Sequence, residues 1–258
     1  FVITRQKLGD AGILPQETLT DKIKKRDYAI LSFSLLAIIL IFLLGIFGFW
    51  SFNPIPLAGF ITVIIALISL SYFLFIFIFG KLNEFEKRKM VLIFILFMGA
   101  AFFWSGFDQG GSSFNIFAKE YTNRLIFGWE YPASWLQIVN PAFVVILSPI
   151  MAYIWIFLGK RMLDPSLPFK FGIGLILMAI GFIIIALGAS TAINNESLAS
   201  AKWLLLTYLF HTVGELVVSP IGLAAISSLS PKRFIGQMMG VWFLASSLGA
   251  IIAGLLSG

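Results

Sequence analysis

From Tyr28 to Gly80 the chain carries no Asp, Glu, Lys or Arg. A water-soluble domain cannot use such a run, because every helix or strand on its surface needs polar residues on one side. A bilayer can, since a helix needs about 20 apolar residues to cross its hydrocarbon core. Stretches of that length recur at 29–50, 57–79, 90–118, 135–158, 169–190, 202–229 and 235–256. The chain is 59% hydrophobic and 12% charged, against about 25% charged in soluble domains. The sequence therefore predicts an all-α, polytopic membrane helix bundle with seven transmembrane helices and broad contact with lipid. With no Cys, disulfides and thiolate metal sites are excluded. Neither a metal nor a cofactor is expected.

The net charge of +6 would hint at nucleic acid in a soluble protein. Here it is partitioned by loop, and no nucleic-acid partner is expected. Lys and Arg concentrate in 1–27, 81–89, 159–170 and 230–234 and are scarce in 51–56, 119–134 and 191–202. Alternate loops hold 15 and 3 of them. The positive-inside rule then places the rich loops and the N-terminus in the cytoplasm, and Gly258 outside. Trp129, Tyr131, Trp135 and Trp203 fall near the outer helix ends, where aromatic belts form. The chain opens FVITRQKLGDAGILP, which reads as the end of a preceding helix entering a loop. The chain is expected to be a piece of a longer protein. Its odd number of crossings calls for at least one further helix.

Two carboxylates stand inside apolar segments: Asp108 within 90–118 and Glu215 within 202–229. Each costs about 2.5–3.5 kcal/mol at a helix centre on insertion scales. A chain retains that cost where the group faces a cavity, a partner or an ion path. Gly110 and Gly111 follow Asp108-Gln109 directly. They read either as a bend or unwound turn beside the charge or as a surface for close helix packing. In the next segment Gln137 and Asn140 share a face, as substrate contacts or as helix-start residues. His211 and Glu215 are four residues apart, and Pro220 disturbs the helix one turn back, at Leu216. Together they suggest a proton-handling or cation-binding station, or a structural Glu paired with a Lys or Arg of another helix. Gly174, Gly181 and Gly188, seven apart, predict a close-packed seam. Trp242 and Phe243 lie mid-membrane, lining a cavity or packing. The first two apolar helices bring no ionisable group except Tyr and read as a peripheral pair.

The stretch GELVVSPIGLAAISSLSPKRFIGQMMGVWFL resembles the late-helix signature of the proton-coupled oligopeptide transporters. FFWSGFDQGGSSFNIFA and SWLQIVNPAFVVILSPIMAYIWIFLGKR are similar to that family's seventh and eighth core helices. The resemblance implies part of a major facilitator fold, two six-helix bundles around a central cavity. It divides the chain into a cytoplasmic interdomain segment (1–27), an inserted transmembrane helix pair (28–80) and a C-terminal bundle (81–258, core helices seven to eleven). It implies proton-driven symport of di- and tripeptides by alternating access across a bacterial inner membrane. Protons, membrane lipid and an N-terminal six-helix bundle of the same protein are the expected partners. It assigns proton coupling to Asp108 and Glu215. It assigns substrate binding to Glu215, Asn140, Ser219, Trp242, Phe243 and Gln109. Asp108 departs from the Glu that is frequent at that position. The alternatives are a facilitator for another small anion or amine, and a non-transporting membrane scaffold. An intramembrane protease is disfavoured, since no Gly-x-Ser-x-Gly or His-Glu-x-x-His motif occurs, and no enzymatic activity is expected.

Overall fold

The computed structural model of the protein describes residues 21–46, 54–194 and 196–257. Most of the expected interdomain segment, residues 1–20, lies outside the described residues. So do 47–53, which hold the end of the first expected helix and half of the turn after it. The chain divides into two units, one ending at Pro54 and the other beginning at Ile55. The first contains α1 (Asp21–Ile46), a helix that turns apolar from Tyr28 onward.

Among the described residues the second unit holds seven α-helices: α2 (Pro54–Phe79), α3 (Glu84–Phe107), α4 (Ser113–Glu120), α5 (Val139–Lys160), α6 (Leu167–Asn194), α7 (Lys202–Leu229) and α8 (Ile235–Ser257). Among the described residues six segments are long and apolar enough to cross a membrane. The seventh predicted crossing falls on α1, where the described residues stop at Ile46. The predicted 90–118 segment is a single crossing made of two helices, α3 and α4, joined by a tight 3-10 turn at Asp108–Gly111.

The ends of the helices follow from local chemistry. Asn83 caps α3: its side chain accepts from Glu86 N at 2.8 Å, and Glu86 Oε2 accepts from Asn83 N at 3.1 Å. This reciprocal box satisfies two of the backbone donors that a helix start leaves open. A 3-10 turn over Ala133–Ile138 leads into α5, whose first turn contains Pro141. Its missing N–H costs nothing there, because the first four N–H groups of a helix have no partner within it.

In lipid, helices associate through close packing more than through burial of oily surface. α6 and α7 make the most extensive pair, followed by α3 with α8. The predicted seam accounts for the first. A Cβ on Gly174 would come within 2.3 Å of Val218, on Gly181 within 2.3 Å of the His211 ring, and on Gly188 within 2.7 Å of Trp203. Gly249 does the same for the second, since a Cβ there would lie 2.6 Å from Trp104 and 2.7 Å from the Ala101 carbonyl. α5 contacts α7 and has no fully buried residue. α2 buries Phe73 and Ile76, with Phe73 edge-on to Phe94 and Phe97 of α3. Its other face exposes Phe60, Leu67, Leu74 and Ile78, as a hydrocarbon-facing helix should.

The loops meet in two groups at opposite ends of the crossing helices. Arg233 donates to the carbonyls of Gly80 (2.9 Å) and Lys81 (3.2 Å) and pairs with Glu86 at 3.1 Å. It thereby joins the 230–234 loop to the α2–α3 loop. At the other end Thr122–Asn123 (β1) pairs in parallel with Ala199–Ser200 (β4), and Leu125–Ile126 (β2) forms a hairpin with Trp129–Glu130 (β3). Arg124 organises that end, donating to the carbonyls of Tyr131 (2.7 Å) and Lys119 (3.3 Å) and pairing with Glu130. Burial raises the Tyr131 phenol above its usual pKa, with the Arg124 charge opposing.

Candidate functional site: a carboxylate-lined cavity

A cavity of about 450 Å³ opens between α3, α5, α7 and α8, lined by Phe107, Asp108, Gly110, Gly111, Gln137, Asn140, Tyr208, His211 and Ala250. That volume suits a small molecule of a few residues' size, within the usual range of about 300–1,000 Å³ for ligand sites. No residue of α2 lines it among those described.

Asp108 reaches the cavity because α3 stops there. It is the C-cap of α3 and the first residue of the 3-10 turn. The glycine pair that follows is explained by this break and not by helix packing. A Cβ on Gly111 would meet nothing within 4 Å, and one on Gly110 would make ordinary contact with Tyr208 at 3.5 Å. Glu215 stands on α7, half-buried, and Asn140 reaches it from α5. The Asn140 amide donates to Glu215 Oε2 at 3.2 Å and to Thr212 Oγ1 at 2.9 Å. The Thr212 hydroxyl in turn donates to the Tyr208 carbonyl at 2.7 Å. No Lys or Arg among the described residues forms an ion pair with either carboxylate. An unpaired carboxylate in a low-dielectric setting binds a cation or a proton far more readily than one in water.

The remaining predicted residues divide. Ser219 lies one turn beyond Glu215 on the same face of α7 and is half-buried. Phe243 is 60% exposed and precedes the cavity-lining Ala250 by two helical turns, so both occupy one face of α8. The structure does not bring Trp242 or Gln109 to this cavity. Trp242 is 5% exposed and fills a notch over Gly222, where a Cβ would sit 2.1 Å from its ring, edge-on to Phe171. One residue's rotation on a helix is enough to separate it from Phe243. Gln109 is 7% exposed; its amide donates to the Ala253 carbonyl of α8 at 3.2 Å, on the side of a second, more apolar cavity.

His211 is part of the wall, 2% exposed. Its Nε2 lies 3.2 Å from the Met178 carbonyl of α6. A carbonyl only accepts, so Nε2 carries the proton in this tautomer. The ring is held between Phe114 and Phe182 over Gly181. The predicted His211–Glu215 station is thereby split: the ring turns to α6 while the carboxylate turns to α5. α7 continues as one helix through Pro220. No cluster of three metal-ligating side chains occurs among the described residues. Sequence reasoning missed Thr212 and Tyr208 as site residues. Both precede Glu215 at helical spacing, by three and seven residues, and that periodicity was the available signal.

Comparison with known proteins follows the same outline. The POT family pattern matches residues 57–258. The peptide transporter YePEPT of Yersinia enterocolitica is 40% identical over 207 residues, covering 80% of this chain and 40% of that protein. Dipeptide and tripeptide permease A of Proteus mirabilis is 38% identical over 168 residues, covering 65% of this chain and 34% of the permease. The crystal structure of peptide transporter POT in complex with sulfate superposes with a TM-score of 0.78 at 31% identity, covering 99% of this chain and 51% of that one. The chain thus spans about half the length of the solved transporter and 40% or less of the two relatives. A family pattern over most of the chain, joined to a matching helical fold, identifies this chain as a member of the POT family.

Proposed function

We propose that the chain supplies one half of a proton-driven symporter for di- and tripeptides in a bacterial cytoplasmic membrane. The observation that carries this reading is a cavity of peptide size with Asp108 in its wall and Glu215 hydrogen-bonded to the wall residue Asn140, neither carboxylate ion-paired with a Lys or Arg among the described residues. The names of the Yersinia and Proteus relatives supply the substrate class.

The chemistry follows from electrostatics. A peptide's amino terminus is an ammonium group, and Glu215 is the acceptor for it, oriented by the Asn140 amide. The attraction is strong because the surroundings are poor in water. Between substrates, an unpaired charge at that depth is costly, so a cation from the rest of the transporter pairs with Glu215 when no peptide is bound. Asp108 takes up the driving proton. Protonation removes one of two repelling charges, which changes the balance between conformations open to either side. Peptide and proton thereby bias the same equilibrium, and each can do so only to the extent that it binds the two conformations unequally. Ser219 and Phe243 extend the substrate surface along α7 and α8. Residues 28–80 supply the family's inserted helix pair, and residues 81–258 form the C-terminal bundle. The scaffold alternative gives no reason to keep two carboxylates in apolar helices, and no enzymatic chemistry is assigned to the site.

The test is uptake by the intact transporter in proteoliposomes. A labelled dipeptide should accumulate inside when the outside is more acidic, and a protonophore should abolish the accumulation. Equal uptake with and without the proton gradient would contradict proton coupling. No uptake of any dipeptide would contradict the substrate class.

A further inference from the structure

The turn at Asp108–Gly111 interrupts a membrane-crossing helix, and an interrupted helix leaves backbone and side-chain polar groups to be satisfied without water. Two side chains answer that need from two different helices. The Gln109 amide spans the break. Its Nε2 donates to the carbonyls of Ala253 on α8 (3.2 Å) and Ser105 in the last turns of α3 (3.4 Å). Its Oε1 accepts from Ser113 Oγ (2.5 Å) and Ser112 Oγ (3.2 Å) at the start of α4. One residue thus ties the end of α3, the start of α4 and the end of α8. From α7, the Tyr208 hydroxyl donates to the Gly110 carbonyl at 3.4 Å, and its ring rests edge-on against Phe114 of α4. Neither interaction is explained by packing alone: each polar end is aimed at the turn that carries Asp108.

We propose that Gln109 and Tyr208 are positioning residues that grip the turn Asp108–Gly111 and so set where the Asp108 carboxyl stands in the cavity. The inference rests on the reading of Asp108 as the proton-coupling group. Gln109 lies outside the cavity wall and Tyr208 within it, and the effect of each on Asp108 passes through the turn. The titratable groups around the cavity besides Asp108 are Tyr208 and His211 in its wall and Glu215, hydrogen-bonded to the wall residue Asn140, all on α7. α5 presents the neutral Gln137 and Asn140, and α8 presents Ala250. A displacement of the turn therefore changes the distance from Asp108 to Glu215, the one other carboxylate among these groups, and with it the pH at which coupling occurs.

The experiment compares Gln109→Leu, Tyr208→Phe and Asp108→Asn in the intact transporter. It reads the pH profile of gradient-driven dipeptide uptake and, separately, equilibrium dipeptide binding. Gln109→Leu keeps most of the volume and removes both hydrogen-bonding ends; Tyr208→Phe removes one oxygen. The expected result is a displacement of the pH midpoint by about half a unit or more in Gln109→Leu, with dipeptide affinity within about twofold of the parent. Tyr208→Phe should move the midpoint in the same direction. Added to Asp108→Asn, which should have lost its pH dependence, neither change should have a further effect on the pH profile. If Gln109→Leu does not fold, Tyr208→Phe carries the test alone, since a single oxygen on a buried ring is a mild loss. Unchanged midpoints beside an Asp108→Asn variant that has lost its pH dependence would overturn the positioning role and leave the proposed function standing. An Asp108→Asn variant with the parent's pH dependence would overturn the coupling role of Asp108, and the positioning role with it.

Discussion

Asp108 and Glu215 differ in how their backbones present them, and that difference supports the separate roles proposed for them. Glu215 projects from an unbroken helix and is held by a neutral amide, so its carboxylate is oriented and available to a cation. Asp108 sits at a helix end, on the turn Asp108–Gly111 that joins α3 to α4. Asp108→Asn preserves size and removes the charge. In the intact transporter it should reduce proton-driven accumulation at least tenfold, equivalent to about 1.4 kcal/mol, while exchange of labelled for unlabelled peptide continues. Accumulation at parental levels would give Asp108 a structural role only. Both carboxylates were legible in the sequence, because a charge in an apolar run needs a reason. The direction of each side chain was not. Trp242 and Phe243 are adjacent in sequence, yet one is packed over Gly222 and the other is exposed. Helical phase decides between them, and phase depends on which neighbour each helix packs against.

At the scale of elements, close contacts through glycine do the work that burial does in soluble proteins. The α6–α7 seam is the clearest case, and its seven-residue spacing was readable directly. Gly181 also fixes the His211 ring, which fills the space a side chain would occupy. Gly181→Leu should therefore both force the helices apart and displace the ring from Met178. Overpacking of this kind costs about 1–3 kcal/mol. Thermal unfolding in detergent should show a lower midpoint than the parent; an unchanged midpoint would mean that the seam is loose. The break between α3 and α4 was less legible. The Gly pair marked it, but the same pair could have served packing, and only the empty space around Gly111 and the Gln109 network distinguish the two. Hydrogen bonds between residues 144 positions apart leave no periodic trace in a sequence.

For the molecule as a whole, the loop pairings set the parity of the crossings. Arg233 joins loops that the charge pattern places on one side, and the β1–β4 pairing joins two that it places on the other. Which side is cytoplasmic depends on the Lys and Arg asymmetry. Single cysteines placed in 81–89 or 159–170 of the intact transporter should resist an impermeant thiol reagent in intact cells and react after permeabilisation. Cysteines in 124–130 should react in intact cells; the reverse pattern would invert the topology. The charge asymmetry and the apolar spacing made the membrane fold legible, whereas the meeting of α3, α5, α7 and α8 at one cavity depends on tertiary packing. The account finally rests on that cavity receiving the peptide's amino terminus at Glu215. The most direct measurement is equilibrium binding of a free-amino dipeptide, and of its N-acetylated analogue, to the intact transporter and to its Glu215→Gln variant. The parent should bind the free-amino form at least tenfold more tightly than the acetylated one, about 1.4 kcal/mol, and the variant should lose most of that preference. Equal affinity of parent and variant for the free-amino dipeptide would contradict the account.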